Sequence, residues 1–91
     1  MLTLYEALAQ LPDTADGIAD RMRALDIKGC QDMGGHCPLA RWLEREGFEE
    51  AIVERRNATA KGYFWVEMPQ AAREFVDRFD DGVYLDLVGA S

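Results

Sequence analysis

Histidine occurs once, at His36, and cysteine twice, at Cys30 and Cys37. That scarcity removes much of the chemistry a small domain can carry. A structural zinc site draws on four Cys or His ligands, often in closely spaced pairs. This chain offers three, two of them adjacent, with Asp32 as the nearest fourth. No metal is therefore expected, and Cys30, His36 and Cys37 stand only as a weak alternative. The C-x6-C spacing is not the C-x-x-C of a dithiol oxidoreductase, and a reducing cytosol disfavours a disulfide between the two. No glycine-rich phosphate loop follows a strand, no serine elbow is present, and no pair of histidines shares a helix. The carboxylates are many but form no recognisable acid/base pair. An enzyme is not expected, and no cofactor is implied.

Long apolar runs are also missing. Nothing approaches the ~20 residues a membrane span requires. The opening Met-Leu-Thr-Leu-Tyr-Glu has no basic segment of the kind that starts a signal peptide, so a cytoplasmic protein is expected, with no membrane partner. Positive charge is in short supply as well: 10 Lys and Arg against 17 Asp and Glu, a net charge of −7. The acid is spread along the chain rather than gathered in a tail. Such a surface repels phosphate at long range, so nucleic acid is not the expected partner.

What is present fits one ordinary globular domain, residues 1–91, with 48% hydrophobic and 30% charged residues. A chain of this size buries about 60–65% of its unfolded surface, enough for a small core without staples. The stretch from Lys28 to Leu43 organises the rest. It holds both cysteines, the histidine, three of the eight glycines and Trp42, and it reads as a helix end, a loop and a helix start.

Upstream of that corner, Thr3 and Glu6 form a capping box, and Leu4, Ala7, Leu8 and Leu11 follow at helical spacing until Pro12. Asp13 or Thr14 caps a second helix with Asp16 in its first turn. Its buried stripe is Ala15, Ile18, Met22 and Leu25. Gly29 is expected in the left-handed position that ends it, and Gly34-Gly35 lets the loop turn. Pro38 fits the first position of a third helix, over 38–46, which makes Cys37 its N-cap. Leu39, Trp42 and Leu43 are its core face, and Gly47 ends it.

The period then changes. Ala51–Arg56 and Tyr63–Met68 are rich in β-branched and aromatic residues, with Asn57–Gly62 between them, and predict a β-hairpin. Phe64, Val66 and Met68 should face one way, and Tyr63, Trp65 and Glu67 the other. Pro69 opens a fourth helix with Ala72, Phe75, Val76 and Phe79 inside, broken by Asp80-Asp81-Gly82. Val83–Val88 is expected as a short strand or an extended tail on the aromatic face. The predicted fold class is α+β: about four helices, with one antiparallel β-hairpin between helix 3 and helix 4, in a winged-helix-like order.

That order gives an alternative function, a winged-helix-type DNA-binding regulator. Arg41 and Arg45 would lie on the recognition helix, 38–46, and Arg55, Arg56 and Lys61 at the hairpin tip. Glu44, Glu46, Glu49, Glu50 and Glu54 offset those five charges. The connection between helices two and three is also long for a helix-turn-helix. Cys37 carries a further option, a thiolate stabilised by the helix N-terminus. No residue is placed by motif to orient His36 toward it. The favoured expectation is a non-catalytic module that binds one protein partner, with a homodimer as a second possibility. Its contact surface is Tyr63, Trp65 and Tyr84, more aromatic surface than a small monomer usually leaves wet. The competing arrangement has these three rings packing on one another.

The run Ile27-Lys28-Gly29, then Cys37-Pro38-Leu39-Ala40-Arg41-Trp42-Leu43, then Arg73–Tyr84 with its Phe-Val-Asp-Arg-Phe-Asp-Asp-Gly-Val-Tyr ending, resembles small uncharacterised proteins of actinobacteria and their phages. The resemblance covers about half the chain and skips the hairpin. It implies no activity. It implies that the corner and the C-terminal segment belong to one architecture.

Overall fold

The Thr3 hydroxyl accepts the Glu6 N–H at 3.2 Å, and the Glu6 carboxylate accepts the Thr3 N–H at 2.9 Å. This reciprocal cap starts α1 (Leu4–Ala9) in the computed structural model, which describes residues 2–32 and 35–89. Thr14 caps α2 (Ala15–Ala24) through Gly17, and Ala15, Ile18, Ala19 and Met22 face inward. Pro38 begins α3 (Pro38–Arg45) behind the N-cap Cys37. Proline's fixed φ and missing N–H cost nothing at that position. Pro38, Leu39, Ala40, Trp42 and Leu43 are all buried, so α3 is the central helix and shows water only a narrow face around Glu44 and Arg45.

The helix ends share one device. After α3 and after α4 (Gln70–Asp80), Gly47 and Gly82 take positive φ, and the next amides, of Phe48 and Val83, reach back to Leu43 and Arg78 at 2.9 Å. These are Schellman closures. The end of α2 corrects the expectation for Gly29. Asp26 takes the left-handed position with φ 56°, and Ile27 bonds back to Met22 at 2.9 Å. Aspartate tolerates that region better than most residues, and buried Ile27 supplies the apolar contact the motif favours.

The hairpin is a three-stranded antiparallel meander, β1 (Ile52–Val53), β2 (Asn57–Thr59) and β3 (Val66–Glu67), in the order β1-β2-β3. Asn57–Gly62 was expected as the turn, yet its first half is the central strand. Ile52 pairs with Thr59, and Ala58 with both Val53 and Val66. The chain reverses twice. A two-residue turn at Arg55-Arg56 is closed by Glu54 N–H to Asn57 O at 2.8 Å, and a second at Lys61-Gly62 by Tyr63 N–H to Ala60 O at 2.9 Å. The first turn carries no Gly, Asn or Asp in its two-residue loop, so its sequence signal is weak. The expected facing holds only at its end: Met68 is buried, Val66 half-buried, and Phe64 stands in water.

α4 buries Ala72, Phe75, Val76 and Phe79, the four expected residues, and packs along α2. The segment after it does not cover the hairpin aromatics. A 3-10 turn over Leu85–Leu87 leads into a parallel bridge between Val88 and Gly29, with Gly29 N–H to Leu87 O at 2.8 Å and Gly89 N–H to Gly29 O at 3.0 Å. Phe75 stacks on Phe79 and Tyr84, ring centres 6.1 and 5.5 Å away. Each such buried side chain contributes about 1.5–3 kcal/mol by leaving water. Among the described residues no helix is long and apolar enough to cross a membrane.

Candidate functional site

The Lys28–Leu43 corner is built by close backbone approach. A Cβ on Gly29 would stand 2.3 Å from the His36 carbonyl oxygen and 2.7 Å from the Pro38 nitrogen. Glycine is therefore required there for proximity, not for a left-handed turn. Beside it, the Cys30 N–H donates to His36 O at 2.8 Å. Gln31 donates through Nε2 to the carbonyls of Phe79 and Asp80, and the Asp32 N–H donates to the Asp80 carboxylate at 3.0 Å. The corner is thus fastened to the end of α4. Gly34 lies outside the described residues.

Cys37 is 4% exposed, and its Sγ accepts the Ala40 N–H at 3.4 Å. The sulfur is thus both buried and the cap of α3. Burial pushes its thiol up to about 11, and the bond from Ala40 offsets only part of that. The desolvation cost of a thiolate exceeds what the helix amides return. Cys30 is half-buried, His36 is exposed, and neither cysteine is bonded to the other. Among the described residues no three His, Cys, Asp or Glu side chains come together as a ligand set.

A groove of about 590 Å³ opens between this corner, β1 and α4. Its apolar lining includes Cys37, Ile52, Val53 and Val76, and Asp32, Glu54 and Asp80 also line it. The fourth charge, Arg55, donates from Nε to Asp77 of α4 at 3.1 Å. The sequence gives little sign of this groove, because its walls come from three segments distant in the chain.

The three aromatic residues expected on one surface do not share one. Tyr84 is 4% exposed, stacked on Phe75, with Arg23 over its ring and its hydroxyl donated to Asp16. Tyr63 is half-buried and meets Phe48 edge-on at 5.4 Å. Trp65 remains in water at 49%, and the neighbouring Phe64, expected on the opposite face with Val66 and Met68, is 92% exposed. Both follow the Lys61-Gly62 turn. The Thr59 hydroxyl donates to Tyr63 O at 2.9 Å and pins the base of that turn.

Of the five cations of the DNA-binding alternative, three are engaged by different partners. Arg41 donates to His36 O at 3.3 Å, Arg45 to Leu25 O at 3.4 Å, and Arg55 pairs with Asp77. Arg56 and Lys61 are exposed at the two successive turns of the sheet. Comparison with protein-family models, curated proteins and solved structures finds no match.

Proposed function

We propose that this protein is a small, cytoplasmic, non-catalytic interaction module that docks one protein partner through the Phe64-Trp65 turn. The observation that carries the reading is the exposure of Phe64, 92%, beside a half-exposed Trp65. Two adjacent aromatic rings in water forgo burial that each could gain, and such rings are the usual anchors of protein interfaces. The turn beneath them is already ordered by Thr59, by the Ala60–Tyr63 bond and by the Tyr63–Phe48 contact. A preorganised anchor loses little freedom on binding. The high thiol pKa of Cys37 and the exposed position of His36 support a module without catalysis. The motif resemblance around Cys37 and Arg73–Tyr84 supports an actinobacterium or its phage as the setting.

The test places the photo-crosslinking analogue of phenylalanine, p-benzoylphenylalanine, at position 64 and, as a control, at exposed Glu44. The expected result is a protein adduct formed from position 64 alone and lost when Trp65→Ser is added. Equal labelling from both positions, or none, overturns the reading. A duplex-DNA gel shift at low salt that disappears in Arg41→Ala and Arg55→Ala would instead favour the winged-helix alternative.

A further inference from the structure

We infer that the groove between the corner, β1 and α4 is a second docking site, one that receives a segment of a protein partner alternating apolar and basic side chains. The inference takes from the interaction reading only that the partner is a protein. It does not require the Phe64-Trp65 turn. The groove has the volume of a ligand site, about 590 Å³. Its floor, from Val53, Val76 and Cys37, suits an aliphatic side chain, and Ile52 at its edge is itself part-exposed.

Charge decides what else the occupant carries. Asp32, Glu54 and Asp80 all line the groove, and among the described residues none of the three has an ion-pair partner. Arg55, also in the lining, is bonded to Asp77 and offsets part of the Asp80 charge, so the groove keeps an excess of carboxylate. The field of a chain with net charge −7 adds to the same sign. An acidic or neutral segment would leave these carboxylates facing one another. A Lys or Arg side chain would lay its stem on Val53 and Val76 and bring its head to the carboxylates. Guanidinium suits them best, through paired N–H donors.

The experiment titrates the intact, isotope-labelled protein with a short acetylated and amidated peptide of alternating leucine and arginine, and with its leucine–glutamate counterpart, following amide chemical shifts. Saturable shifts at Val53, Val76 and Gly35 are expected with the basic peptide and not with the acidic one. They should weaken as salt rises. Glu54→Gln with Asp80→Asn keeps the hydrogen-bonding shapes, including the acceptor for the Asp32 amide, and should weaken binding about tenfold. Arg55→Gln frees Asp77 and should tighten it. Phe64→Ser should leave it unchanged, which separates this site from the aromatic turn. Shifts scattered over the whole acidic surface, or binding unaffected by the double substitution, would overturn the inference.

Discussion

The Tyr84 hydroxyl donates to the Asp16 carboxylate across 2.6 Å, joining the segment after α4 to the first turn of α2. Tyr84→Phe keeps the ring stacked on Phe75 and removes only that bond. A hydrogen bond to a charged acceptor contributes about 1.5–3 kcal/mol. Asp16 is well exposed and regains water, so the expected loss in urea denaturation is about 1–2 kcal/mol. The bond also sets a pH dependence. Burial first, then Asp16, raises the phenol pKa. The contribution is complete below the ordinary tyrosine pKa and declines as pH rises through the folded value. Tyr84→Phe should flatten that decline, and an unchanged alkaline limb would contradict the assignment.

Cys37 gives a second alkaline limb. Its thiol is lifted to about 11 by burial, whereas an unfolded chain releases that proton near its ordinary value of about 8.5. Stability is therefore full below about pH 8.5 and falls as pH rises toward 11. The total is about 3 kcal/mol, from roughly 1.4 kcal/mol for each tenfold change in proton affinity. Cys37→Ala removes the acceptor for the Ala40 N–H, should lose about 1 kcal/mol at pH 7, and should lack this limb. Cys37→Ser keeps an acceptor for the Ala40 N–H, which offsets part of the cost of burying a hydroxyl, and should lose no more than Cys37→Ala at pH 7. If both variants unfold, and wild-type protein purified without a tag carries one zinc per chain, the corner is a metal site instead.

Gly29→Ala should be among the most damaging single-methyl additions in the chain. The new Cβ would meet backbone atoms of His36, Cys37 and Pro38 at 2.3–2.8 Å, and backbone cannot swing aside as a side chain can. A loss of about 3 kcal/mol or more is expected, or failure to fold. Gly35→Ala, with no described atom within 4 Å of its new methyl, should stay within about 0.5 kcal/mol. Equal melting temperatures for the two variants would refute the close-packing account.

Asp86 accepts from Arg23 at both carboxylate oxygens, and this pairing lowers its pKa. A depressed carboxylate stabilises above its ordinary range near 4 and loses that contribution as pH falls. Asp86→Asn should therefore be slightly less stable than wild type at pH 7, with the gap closing toward pH 2 and narrowing in high salt. A gap that persists unchanged at pH 2 would show that charge is not its origin.

The helices were legible because their signals are local. Thr3 with Glu6, Thr14 and Pro38 mark three helix starts within one turn of sequence, and Ala72, Phe75, Val76 and Phe79 carry the period of the fourth. The sheet was half legible. Asn57 and Gly62 are both turn-formers, but only Gly62 is used that way, since pairing with β1 and β3 draws Asn57–Thr59 into the centre. Tyr84 was misplaced because the ring it stacks on, Phe75, lies upstream in α4, and period-2 alternation after Gly82 says nothing of it. Phe64 was misplaced because alternation extends a strand through residues that lie between the Lys61-Gly62 turn and β3. The groove was invisible, since no pattern within 28–43, 52–55 or 76–80 reveals that the three meet.

The bridge between Gly29 and Val88 has a consequence for biosynthesis. In the corner after α2, Gly29 donates to the Leu87 carbonyl and accepts from the Gly89 N–H, and Leu87 and Tyr84 join the core in which α2 and α4 pack. Early segments emerging from a ribosome can form their capped helices and meet α4, but the Gly29 bridge and the Tyr84 and Leu87 packing cannot form until residue 89 is clear of the exit. Contacts of such sequence separation come late and together. A nascent chain stalled before Tyr84 should remain open to protease, and one released past Gly89 should become resistant in a single step.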